Sequence, residues 1–290
     1  MTNKEQLETI FKKYDIPWNI REFKEYINPK PKSVTSILGK MQRLYVKSGC
    51  PSVFTFESSG INDLLRITII ADYKDVVSLL KRIKETFKDA TGHFKIKNSG
   101  YCGIHIHFSL EGVPCEIQLA PEMLVMAVDY LHLFYEKWRD FQEEEISTSL
   151  EEQQKLFLNC ASKDEQEILY RHWKEQEEIF KEKLKEKEQD LEFRQKVYQE
   201  VYAFLQYDQY EEEIAFALEE MNKVKGKSSV LQDRDLLPLF CTNLVTNGNL
   251  DLEKVREISE KLLPLLEPRQ KKLIALVKEN NILVTENVKN

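Results

Sequence analysis

The sequence predicts an α+β fold, with strands and flanking helices in the first half and helices alone after them. Three observations predict it. Short β-branched and apolar runs, among them LRITIIA at Leu65–Ala71, cluster between residues 54 and 119. Segments with apolar residues every three or four positions lie on both sides of these runs. From Glu122 to Lys225 there is neither Gly nor Pro, a run of 104 residues that permits helix throughout.

The elements follow in order. Residues 1–27 are helical in pattern, with Leu7, Ile10, Phe11 and Tyr14 on one stripe and Pro17 ending or restarting the helix. Pro29 and Pro31 then break the chain, and Ser33 is placed to cap a helix whose Ile37, Met41 and Leu44 face inward. Phe54–Phe56 and Leu65–Ala71 read as strands, and Tyr73–Asp89 as an amphipathic helix. Gly103–Leu110 and Val113–Leu119 read as a hairpin closed by Glu111-Gly112. Pro121 opens the long helical stretch. Within it, Ser149–Glu152 and Ser162–Glu165 fit the Ser-x-x-Glu capping box, and Lys163–Asn222 reads as long paired helices. Past Gly226, two or three more helices are expected between Asp235 and Asn281. The expected divisions are 1–140, a long helical region 141–225, and a small helical region 226–290.

Composition bounds the function. A chain of 290 residues, 42% hydrophobic and 31% charged, is long enough to bury a sizeable core. No window approaches the roughly 18 apolar residues of a transmembrane helix. The N-terminus is polar from the start, unlike a secretory signal. Cys50, Cys102, Cys115, Cys160 and Cys241 are scattered and odd in number, which fits reduced thiols in a cytoplasm. Charge is uneven. Residues 1–139 carry 20 Lys and Arg against 16 Asp and Glu, while residues 140–290 carry 22 against 33. The first part tolerates a polyanionic ligand and the second repels one. The acidic helical region reads as solvated surface, or as a homo-oligomer or protein-partner interface. Neither membrane nor DNA binding is expected.

The hairpin carries the first sign of chemistry. Side chains alternate along a strand, so Ile104, Ile106 and Phe108 share one face with Cys115, Ile117 and Leu119. His105, His107, Glu116 and Gln118 share the other. Taken alone, that polar side reads as the solvated face of an antiparallel sheet; zinc on His-x-His with one Glu is a weaker reading. Asp63 precedes the LRITII strand, where it can meet Glu116 on a neighbouring strand with a divalent cation between the two carboxylates. Ser36, Lys40 and Arg43 line one helix face, and Lys30 and Lys32 flank the approach to that helix's N-terminus, where phosphate binds well.

Four segments in order, KPKSVTSILGKM, INDLLRITII, NSGYCGIHIHF and PCEIQLAPE, resemble the synthetase domain of the RelA/SpoT family over about residues 20–140. The resemblance implies a nucleotidyltransferase-like mixed sheet flanked by helices. It implies Mg²⁺-dependent transfer of pyrophosphate from ATP to the 3′-hydroxyl of GDP or GTP, yielding (p)ppGpp. Some family members are toxins that modify a tRNA 3′ end or adenosine nucleotides instead. An inactive nucleotide-binding or scaffold protein is the further alternative.

By position, the resemblance puts Lys30, Lys32, Ser36, Lys40 and Arg43 on ATP. It makes Asp63 and Glu116 the catalytic, Mg²⁺-binding pair. Tyr101 would stack on the acceptor base, with His105 and Gln118 on the acceptor side. Four features depart from the family pattern. Cys102 follows the tyrosine where an Arg is usual, and Ala120-Pro121 stands where Arg-Thr is common. Asp63 and Arg66 are three apart rather than five, and Ser99 displaces the Asn before Gly-Tyr.

Overall fold

The computed structural model describes residues 2–14, 30–40, 61–96, 102–128, 191–223, 231–237 and 252–282, with single helical positions at 131, 171, 178, 182, 185 and 189. The chain forms two compact units interleaved in sequence. One comprises Met1–Trp18, Ile96–Tyr101 and Met123–Phe204; the other comprises Asn19–Lys95, Cys102–Glu122 and Leu205–Asn290. The segments 1–140, 141–225 and 226–290 thus remain divisions of the sequence. The expected Phe54–Phe56 strand and the two capping boxes lie outside the described residues.

In the first unit, the Asn3–Lys13 helix starts with a reciprocal capping box. Glu5 N donates to Thr2 Oγ1 at 3.3 Å, and Thr2 N donates to Glu5 Oε2 at 2.7 Å. The helix buries Leu7, Ile10 and Phe11. At its end, Lys13 Nζ and the Tyr14 hydroxyl both donate to Glu200 Oε1 at 2.5 Å, and the Tyr14 ring meets Phe193 edge-on at 5.6 Å.

The second unit is built on a four-stranded mixed sheet. Its strands are β1 (Leu65–Ile70), β2 (Thr91–Ile96), β3 (Cys102–Leu110) and β4 (Val113–Ala120), in the order β1-β4-β3-β2. β1 runs parallel to β4, and β3 antiparallel to β4. The Tyr73–Thr86 helix links the two edge strands and buries Val76, Leu79, Leu80 and Ile83. The mixed α+β class expected from the sequence is therefore present. β2 was not expected, because its TGHFKI segment has few apolar residues and sits among charged ones.

The β3–β4 hairpin closes as its sequence predicts. Glu111 and Gly112 have φ values of 50° and 77°, the two left-handed positions of a tight two-residue turn. A glutamate seldom takes that conformation, and here its carboxylate is held by Lys272, with Arg269 at 3.6 Å. Gly112 O accepts from Gln232 N and Asp233 N at 2.9 and 3.2 Å, and a Cβ at Gly112 would come 3.2 Å from Asp233 N.

One face of this sheet is apolar and packed. Ile104, Ile106, Phe108, Cys115, Ile117 and Leu119 are all buried, and Phe108 stacks on Phe87 at 4.0 Å. Each large side chain so buried contributes about 1.5–3 kcal/mol. The Glu211–Lys223 helix approaches β2 closely. A Cβ at Gly92 would lie 2.8 Å from Leu218 Cδ2 and 3.0 Å from Met221 Sδ, so only glycine fits unaltered. Asn222 clamps the same glycine, accepting from its N–H at 2.9 Å and donating to its carbonyl at 2.8 Å.

Of the two or three helices expected between Asp235 and Asn281, the described residues include one of 28 residues, Leu252–Glu279, with Pro264 and Pro268 inside it; residues 238–251 lie outside the described residues. An interior proline removes a helix hydrogen bond and costs about 3 kcal/mol, which the packing of the apolar face offsets. Leu262, Leu266, Leu273 and Val277 of this helix are buried, and Gln270 Nε2 donates to the Arg66 carbonyl of β1 at 3.0 Å.

Candidate functional site

Two polar clusters form in the second unit, each around one carboxylate. The first gathers at the entrance to β1. Ser33 Oγ accepts from Ser36 N at 3.3 Å and so caps the helical segment 34–40. Just before it, Lys32 N donates to Leu64 O at 3.1 Å, which ties this segment to the approach to β1. Lys32 Nζ then reaches Asp63 Oδ2 at 2.5 Å, and Lys40 Nζ reaches Oδ1 at 2.7 Å. Lys40 also donates to Asn62 Oδ1 at 3.2 Å. Both oxygens of one buried carboxylate thus face a cation. Burial pushes the Asp63 carboxyl up, but Lys40 and Lys32 outweigh it and hold the group below the ordinary aspartate range. Burial lowers the Lys32 ammonium despite the neighbouring carboxylate.

The second cluster lies on the polar face of the hairpin. In the β3–β4 register, His107 pairs with Glu116 and His105 with Gln118. His105 Nδ1 lies 2.8 Å and His107 Nε2 2.9 Å from the same Glu116 oxygen, Oε2. Gln118 Nε2 donates to the other oxygen, Oε1, at 2.5 Å, and Thr68 Oγ1 makes a long 3.4 Å contact with Gln118 Oε1. Burial would raise the Glu116 carboxyl, but hydrogen bonds from His105, His107 and Gln118 hold it far below its usual range.

This face is not solvated. His105, His107, Glu116 and Thr68 are all buried, which corrects the expectation of a wet sheet face. Alternation decides which residues share a face, not whether that face is covered.

β2 adds a residue absent from the sequence-based set. His93 follows Gly92, whose Cβ position points at Leu218, Met221 and Ile106 on the apolar side. The His93 side chain therefore projects to the polar side, where its ring centroid lies 5.2 Å from that of His107 and 6.0 Å from that of His105. It remains exposed. Burial, then the neighbouring His107 and His105, lower its pKa. The polar–apolar alternation of His93, Phe94 and Lys95 was the sequence signal for it.

Lys32, Lys40 and Asp63 are thus brought together, as are His105, Glu116 and Gln118. Ser36 is exposed and its hydroxyl accepts from Ser33 Oγ at 2.9 Å; Lys30 is exposed. Arg43 and Tyr101 lie outside the described residues. β1 and β4 are neighbours, with Arg66 level with Glu116, so Asp63 is at most roughly 10 Å along the chain from that level. Among the described residues, however, Asp63 and Glu116 share no partner. No described helix is long and apolar enough to cross a membrane. Comparison with protein-family models, with curated proteins and with solved structures returns no match.

Proposed function

We propose that this chain is a pyrophosphokinase that moves the β,γ-pyrophosphate of ATP onto the 3′-hydroxyl of a guanosine nucleotide. The observation that carries the proposal is the convergence of Lys32 and Lys40 on Asp63, at 2.5 and 2.7 Å. Two ammonium groups at one carboxylate form a compact site for a metal–triphosphate, whose phosphates exchange with the carboxylate for the lysines. The hard oxygen donors of Asp63 suit Mg²⁺, which supplies charge neutralisation on the transferred group.

In this reading, Lys32 and Lys40 turn from Asp63 to the phosphates and hold them in line with the acceptor. The acceptor 3′-oxygen bonds to the β-phosphorus, the bond to the α,β-bridging oxygen breaks, and AMP leaves. An Asp63 oxygen takes the hydroxyl proton. Positioning and charge stabilisation supply most of the rate in such transfers, so a small set of residues suffices. The mixed sheet is then nucleotidyltransferase-like, the later helices are an appended all-α region, and the protein works in the cytoplasm. Glu116 enters differently from the sequence-based expectation. Glu116 lies among two imidazoles and an amide, a setting that suits Mg²⁺ less than oxygen donors and water do, and in this reading the Mg²⁺ role falls to Asp63.

The test is incubation with labelled ATP and, separately, GDP, GTP, ATP or tRNA as acceptor. Label should pass to GDP or GTP, and Asp63→Asn should abolish the transfer with the fold intact by circular dichroism. Label on tRNA or an adenosine nucleotide would move the acceptor to another class. No transfer to any acceptor, or near-normal transfer by Asp63→Asn, would sink the proposal.

A further inference from the structure

We infer that His105, His107 and Glu116 form a binding site for a divalent transition-metal ion of the zinc type, separate from the nucleotide site proposed above. Each of the three offers one ligand atom, and these atoms all lie within 4.8 Å of one another. The arrangement follows from strand geometry. His-x-His on β3 puts both imidazoles on one face, and the antiparallel register sets Glu116 directly across from His107.

A tetrahedral ion with donors at about 2.0–2.1 Å needs donor–donor separations near 3.3 Å. The observed 2.8 and 2.9 Å contacts to Glu116 Oε2 reach that spacing with side-chain shifts of roughly 1 Å or less. Two imidazoles and one carboxylate are donors that suit zinc and its neighbours, whereas Mg²⁺ prefers oxygen and water. With three protein ligands, the fourth position stays open to water or a substrate oxygen.

The surroundings fit a metal centre in two further ways. Ligands are normally oriented by a second layer of hydrogen bonds, and here Gln118 fixes Glu116 Oε1 at 2.5 Å. An ion also needs an entry path. His93, exposed and beside both rings, marks the side from which the cluster can be approached. A hydrogen-bonded trio with no ligand is the competing account, and it makes a different prediction. In that account the two ring N–H groups satisfy Glu116 and zinc gains nothing. Metal binding instead requires His105 Nδ1 and His107 Nε2 to present lone pairs, so uptake displaces those protons.

The full chain, stripped with chelator, is titrated with ZnCl₂ in a calorimeter, then with Co²⁺ while visible absorption is recorded. One zinc per chain at micromolar affinity or tighter is expected, with cobalt bands of a nitrogen–oxygen site. His107→Gln retains a donor for Glu116 but no imidazole, and should lose about 100-fold in zinc affinity or more. Should that variant unfold, Glu116→Gln, which keeps the side-chain shape, carries the same expectation. Gln118→Ala should weaken binding about 10–100-fold, and His93→Ala only a few-fold. A thiolate charge-transfer band, no zinc uptake, or unchanged affinity in the folded His107→Gln or Glu116→Gln variant would overturn the site. The readout is metal binding without ATP, so its failure leaves the pyrophosphate proposal standing, and the reverse.

Discussion

The two clusters are the same device in different company. Each is a buried carboxylate with both oxygens occupied, one before β1 and one on the adjacent β4. Asp63 faces two lysines, which are permanent cations on flexible stems. Glu116 faces two imidazoles and an amide, whose donors are directional and held on short side chains. The lysine side chains keep 15% and 24% of their area exposed, against 4% and 10% for His105 and His107. A half-open pair of cations suits a large anion arriving from solvent. A closed set of fixed donors suits a small ion. The partners and their exposure, more than the carboxylate itself, decide the chemistry available.

The comparison can be broken first at the lysines. Replacing Lys32 and Lys40 together by Ala should weaken ATP binding at least tenfold by calorimetry, since each charged contact contributes about 1.5–3 kcal/mol. Zinc affinity should stay as it was. Equal loss of both would mean the clusters act as one site.

A smaller effect is expected where β2 meets the Glu211–Lys223 helix. Gly92→Ala places a methyl 2.8 Å from Leu218 Cδ2 and should destabilise the protein by about 1–3 kcal/mol in urea unfolding. His93 moves with β2, so the added strain should reach the histidine cluster and leave ATP affinity unchanged.

The smallest effect is in acid. Asp63 is held below its ordinary pKa by Lys40 and Lys32 against the opposing effect of burial. A depressed carboxylate stabilises the fold above its unfolded pKa, near 3.9, and that contribution is lost as pH falls through the lower folded value. The stability gap between the wild-type protein and Asp63→Asn should therefore be constant near neutrality and close only in strong acid. A gap that widens as pH falls would mean that burial outweighs the two lysines and raises the Asp63 carboxyl instead.

Much of this was legible along the chain. The LRITII strand, the Glu111-Gly112 turn, the Ser33 cap and the two faces of the hairpin all follow from local rules. Strand side chains alternate, two-residue hairpin turns need positive φ, and a hydroxyl just before a helix accepts an orphan N–H. Lys32, Lys40, Asp63, His105, His107, Glu116 and Gln118 were picked out from the sequence; Asn62, Thr68 and His93, the last on a strand with charged neighbours, were not.

Partnership was decided only by the tertiary structure. Nothing local says that β4 lies between β1 and β3, that Lys32 and Lys40 turn to the same aspartate, or that the polar hairpin face is covered. Nor does it say that both imidazoles converge on one oxygen of Glu116. Periodicity fixes the direction of a side chain relative to its own backbone. Which groups meet, and how much water remains between them, depends on pairings between segments far apart in sequence, and these are selected by the packing of the whole unit.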